Sequence, residues 1–139
     1  MSVLLFILAA SSQPFTRVPD PGRAANSIVH HELCPSWVRG FSCAVRLIEQ
    51  RDYKHGVQLM AETARAGDTR AMRALGLMLV RGEYVRQDQA QALSWFYEAA
   101  LRGDRESMGI LSTAFEKGIG IEPDPNLAAY WRARSLSAR

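Results

Sequence analysis

Several groups of residues in this 139-residue chain have the right types for chemistry, and each fails on spacing. His30, His31 and Glu32 are adjacent, and neighbours in sequence point apart in both helix and strand. A zinc ion needs three or four donors converging on one point, so this stretch is expected to be a solvated or loosely packed segment. His55 follows Lys54 at the opening of a helix and is expected to be exposed. Gly118-Ile119-Gly120 lacks the third glycine of a nucleotide loop and precedes no strand-to-helix crossover, so it reads as a turn. There is no G-x-S-x-G elbow, no P-loop and no H-E-x-x-H. No catalytic residue, cofactor or metal ligand is expected. Cys34 and Cys43 lie nine positions apart. In an oxidising compartment they can pair and tie the preceding segment onto the first helix; in a reducing one Cys43 is a small core residue. Trp95 and Trp131 have the bulk of binding aromatics. At matched helical positions they are expected in the core, each wedged inside its own helical hairpin.

The elements that would position these residues follow from composition and periodicity. Hydrophobic residues make up 47% of the chain and charged residues 22%, the balance of a soluble globular domain. The net charge is +3, and Lys54 and Lys117 are the only lysines among 17 cations. The arginines are scattered rather than clustered, which argues against nucleic acid as a partner. Residues 3–10 form an apolar run far short of the roughly 20 residues that span a bilayer. The run fits the centre of a secretory signal, with Ala9, Ala10 and Ser11 as cleavage positions, although no Lys or Arg precedes it. The other reading is a buried N-terminal strand or helix turn. The expected layout is a signal at 1–12, an irregular arm at 13–35 carrying Pro14, Pro19, Pro21 and Gly22, and one domain at 36–139. Export implies a periplasmic or secreted protein; without it the protein is cytoplasmic. No later segment is apolar enough to span a membrane.

The domain repeats itself. Shifting residues 75–104 by 36 positions lays Leu75 on Leu111, Gly82 on Gly118, Val85 on Ile121, Asp88 on Asp124, Ala92 on Ala128 and Trp95 on Trp131. Leu75, Met78, Leu79 and Leu111, Ala114, Phe115 each make one helical stripe; Ala92, Trp95, Ala99 and Ala128, Trp131 make the second. Gly82 and Gly118 suit helix ends, Asp88 and Asp124 suit N-caps, and Pro125 suits a first helical position. Gly67-Asp68 and Gly103-Asp104 repeat the same punctuation between units. A degenerate first unit carries Cys43, Ala44, Leu47, Ile48 and then Val57, Leu59, Met60, Thr63, Ala64, joined by a shorter link at 50–53 without a glycine turn. Helices are expected near 36–50, 53–66, 69–81, 88–102, 105–117 and 124–137, in units of about 36–68, 69–104 and 105–139.

Leu75-Gly76, Leu79, Gly82, Val85, Asp88, Ala92, Trp95, Ala99-Ala100 and Gly103 together resemble the Sel1-like repeat, a relative of the tetratricopeptide repeat. Leu111, Phe115, Gly118, Gly120, Ile121, Asp124, Ala128 and Trp131 supply the next unit. Two positions depart from the pattern: Tyr84 stands at the second turn glycine and Ser112 at the glycine after the leucine. The resemblance implies an all-α fold, a short right-handed α-solenoid of about three helix pairs, and a non-enzymatic module that binds another protein.

By analogy with tetratricopeptide grooves, the first helix of each unit lines a concave surface. Its expected contact residues are Val38, Phe41, Val45, Ile48 and Glu49 in the first unit. The second contributes Arg70, Arg73, Leu77, Val80 and Arg81, and the third Glu106, Gly109, Thr113, Glu116 and Lys117. The cationic middle suits an acidic or carboxylate-bearing segment of a partner, unless these arginines are only a solvated face. A bacterial adaptor or immunity protein, acting on a toxin or an envelope complex, is the narrower expectation. Two others remain: β-lactam binding or hydrolysis, as in cysteine-rich relatives of this repeat, and self-association through exposed ends.

Overall fold

The computed structural model describes Cys34 and residues 40–138. The signal at 1–12, most of the 13–35 arm, His30, His31, Glu32 and Val38 lie outside the described residues. Among the described residues six helices follow one another: α1 (Phe41–Glu49), α2 (Tyr53–Arg65), α3 (Thr69–Arg81), α4 (Gln89–Leu101), α5 (Arg105–Lys117) and α6 (Pro125–Ser137). There is no strand among the described residues. Helices pack in the pairs α1–α2, α3–α4 and α5–α6, and each pair stacks on the next through α2–α3 and α4–α5. This is an all-α helical repeat solenoid.

The punctuation that sets the helix ends is nearly uniform. Asp52, Asp68, Asp88, Asp104 and Asp124 each accept backbone N–H bonds in the first turn of α2 to α6. Each such cap stabilises its helix by about 1 kcal/mol. Gly82 and Gly118 end α3 and α5 at φ 69°, the left-handed conformation that releases the chain into the turn. In the short link of the first unit, Arg51 takes φ 66° in place of a glycine. One boundary differs from expectation. The first described helix begins at Phe41 rather than 36, because Gly40 has φ 77° and ψ −139° and cannot belong to it.

The core runs the length of the stack. Ala44, Ala64, Ala71, Ala92, Ala99 and Ala100 are fully buried and let helices approach closely around Leu47, Met60, Leu75, Phe96, Leu111 and Trp131. Phe96 sits directly on Gly76, where an added Cβ would lie 2.7 Å from the ring. One repeat later the pair is exchanged. Arg132 stands in the place of Phe96 and turns outward to Glu116 at 2.7 Å. The freed space admits Ser112, whose hydroxyl donates to the Ala128 carbonyl at 2.9 Å. The Ser112 departure from the repeat pattern is therefore compensated across the helix pair.

Trp95 and Trp131 are not equivalent, and this corrects the sequence reading. Trp131 is 3% exposed. Trp95 is only half-buried, and the aromatic sealed inside the second unit is its neighbour Phe96. The cause lies in the adjoining side chains. Trp131 is edged by Tyr97 at 5.5 Å and Tyr130 at 5.2 Å. One repeat earlier those positions are Ala61 and Ser94, which cannot cover an indole.

Candidate binding surface

The cations expected to face a partner are mostly engaged within the chain. Arg70 pairs with Asp68 at 3.1 Å and lies over the Phe41 ring at 5.1 Å, clasping the first unit to the second. Burial pushes the Asp68 carboxyl up, but the Arg70 side chain, the backbone N–H groups of Ala71 and Arg70, and the nearby positive charge outweigh it and hold the group below its ordinary value. Arg73 donates to Asp104 at 2.7 Å and pairs with Glu106 at 2.8 Å, clasping the second unit to the third. Arg81 meets Glu83 at 3.6 Å. Each of these three guanidinium groups meets a carboxylate, yet the Arg70 and Arg81 side chains stay 60% and 59% exposed, while Arg73 is 23% exposed. Lys117 is exposed at the end of α5 with no acidic partner among the described residues.

What α3 and α5 enclose between them is apolar. Leu77 and Val80 on α3 face Gly109, Ile110 and Thr113 on α5, over a floor of Leu93 and Phe96 from α4. The cavity measures about 440 Å³, and Glu106 and Gln89 stand among its few polar neighbours. Its width has a residue-level origin. Gly109 falls where the preceding unit has Arg73, and a Cβ there would meet nothing within 4 Å. Leu77, Val80 and Thr113 are thus brought together as expected; Arg70, Arg81 and Lys117 do not line the cavity. Ile110 and Phe96 belong to it and were missed, because helical periodicity alone assigns both to the interior.

Other chemistry is sparse. His55 is half-buried rather than exposed, with Nδ1 2.8 Å from an Asp52 carboxylate oxygen beside the helix cap. No cluster of three metal-ligating side chains occurs among the described residues. None of the described helices is long and apolar enough to cross a membrane. Cys34 and Cys43 form a disulfide that anchors the chain before α1 onto that helix. At the far end, α6 exposes Leu127, Tyr130 and Leu136.

Stacked helix hairpins with an apolar furrow between their first helices define a repeat solenoid of the protein-interaction class. The Sel1 repeat matches residues 69–104 and 106–134. The chain thus carries two Sel1-like repeats, and repeats of this kind generally act as scaffolds for contacts with other proteins. Among solved structures it is similar to a Sel1 repeat protein from Oxalobacter formigenes, with 29% identity, TM-score 0.57, and 61% of this chain and 35% of that one covered. It shares its fold with c5321, a protective antigen of uropathogenic Escherichia coli, at 23% identity and TM-score 0.65 over 84% of this chain and 24% of that one. Cysteine rich protein B of Helicobacter pylori has TM-score 0.64 at 14% identity, with 86% of this chain and 92% of that one covered. DAP3-binding cell death enhancer 1 of Rattus norvegicus is 30% identical over 69 residues, which are 50% of this chain but 13% of that protein. The chain therefore spans a small part of that curated relative.

Proposed function

We propose that this protein is a non-enzymatic binding module that holds a partner protein in the furrow between α3 and α5. The observation that carries the reading is the carbon-lined cavity made by Leu77, Val80, Gly109, Ile110 and Thr113. A cavity of this size takes one or two apolar side chains of a partner, and desolvating them supplies the affinity. Arg73, Asp104 and Glu106 hold the two walls at fixed separation, so little ordering is required on binding. Lys117 offers one free cation beyond the end of the furrow for a partner carboxylate. An adaptor or immunity role in the bacterial envelope is compatible with this surface. The Cys34–Cys43 pairing supports export into an oxidising compartment, where thiol trapping of the native protein would find both cysteines blocked.

The test is Gly109→Leu. The new side chain enters empty space, so the fold is expected to keep its stability or gain up to about 1 kcal/mol from helix propensity. The furrow, however, is filled. With a photo-crosslinking residue at Thr113, the parent protein is expected to capture a discrete partner in its native extract, and the Gly109→Leu protein to lose it. Equal capture by both would remove the furrow from the account.

A further inference from the structure

We propose a second docking site, at the seam between the first and second units, that takes a large apolar side chain flanked by carboxylates on a partner protein. The site is a cavity of about 510 Å³ bounded by Val57 on α2, Leu75 and Leu79 on α3, and Trp95 on α4. Residues 75 and 79 lie on the opposite side of α3 from Leu77 and Val80, so this cavity is distinct from the furrow. Its apolar floor is rimmed by Arg65 from α2 and Arg86 from the turn before α4.

Those two guanidinium groups set the class of ligand. Arg70, Arg73, Arg81 and Arg132 are each paired with an acidic side chain. Arg65 and Arg86 are exposed and have no acidic partner among the described residues. The carboxylate that also borders the cavity, Asp88, is occupied in capping α4 through the Gln91 N–H. Two cations without an ion-pair partner among the described residues, beside a half-buried indole and a carbon floor, complement an acidic peptide with a hydrophobic anchor.

The neighbouring repeat shows that none of this is required by the architecture. At the equivalent seam, Arg65 and Arg86 are replaced by Leu101 and Glu122, and Tyr97 stands at the place of Ala61. A cavity of about 480 Å³ persists there, but Trp131 and arginine are absent from its lining. The turn that carries Arg86 is also held in an unusual way. Tyr84 adopts φ 63°, a conformation that disfavours L side chains, where the sister turn uses Gly120 at φ 69°. Its ring stacks on Tyr53 at 4.5 Å with planes 17° apart, fixing the turn against α2. Strained backbone kept in place by a specific contact is a mark of binding sites.

The experiment is selection from a displayed peptide library on the full chain, followed by affinity measurement with the enriched peptides. Enriched sequences are expected to share an aromatic or large aliphatic residue beside Asp or Glu. Affinity should fall about tenfold or more in Arg65→Glu/Arg86→Glu and in Ala61→Tyr, with helical content unchanged by circular dichroism. It should stay within about twofold in Gly109→Leu, which separates this site from the furrow. Removing residues 1–33 should leave it unchanged. No enrichment, enriched peptides lacking acidic residues, or binding indifferent to both seam variants would overturn the proposal. So would a tenfold gain on removing residues 1–33, which would make that segment the occupant. Displacement of the peptides by a single-stranded oligonucleotide would do so as well, by assigning the arginines to phosphate.

Discussion

The two seams of this solenoid share a backbone plan and differ in what their side chains do with it. At the second seam, Tyr97 and Tyr130 close around Trp131 and convert it into core. At the first, Ala61 and Ser94 leave Trp95 only partly covered, with Arg65 and Arg86 at the rim. A repeat fixes where an indole is placed, and the side chains packed around it decide whether it stabilises the fold or meets a ligand. The same lesson holds inside the units, where Gly76 with Phe96 and Ser112 with Arg132 are two solutions to one packing problem.

The comparison can be broken by truncating each indole. Trp131→Ala removes a fully buried aromatic and is expected to cost about 3–5 kcal/mol. Trp95→Ala, at a side chain already partly exposed, should cost about 1–2 kcal/mol. Chemical denaturation of both proteins reads the difference, and equal losses would mean that the seams are alike. Exchanging the covers sharpens it. Tyr97→Ala should cost about 1–2 kcal/mol, and Ala61→Tyr should return about 0.5–1.5 kcal/mol by edging Trp95 as Tyr97 edges Trp131. The smallest effect is expected at the strained turn. Tyr84→Gly relieves about 1 kcal/mol of left-handed strain but forfeits a stacked pair of similar worth, so the melting temperature should move by only a few degrees.

Much of the fold was legible because each signal in the sequence has a local physical cause. Aspartates at 68, 88, 104 and 124 cap helices through their own side chains, and Gly82 and Gly118 supply the left-handed ends. Neither depends on distant partners. The start of α1 was misplaced because Gly40 takes a conformation that composition does not announce. The candidate site was legible only in part. Leu77, Val80 and Thr113 follow from helical phase and do meet, whereas the engagement of Arg73 depends on Asp104, 31 residues away. Trp95 matches Trp131 perfectly in register, but the covering positions, one on a neighbouring unit and one beside the indole on its own helix, are not specified by the repeat pattern.

The inequality of the two indoles is the claim on which the seam comparison rests, and it can be observed without any partner. Two single-tryptophan proteins suffice, one keeping Trp95 and one keeping Trp131, with the other tryptophans (including Trp37) changed to phenylalanine. Acrylamide should quench Trp95 readily and Trp131 hardly at all, and the Trp95 emission should lie to the red. Equal quenching and coincident emission would contradict the account.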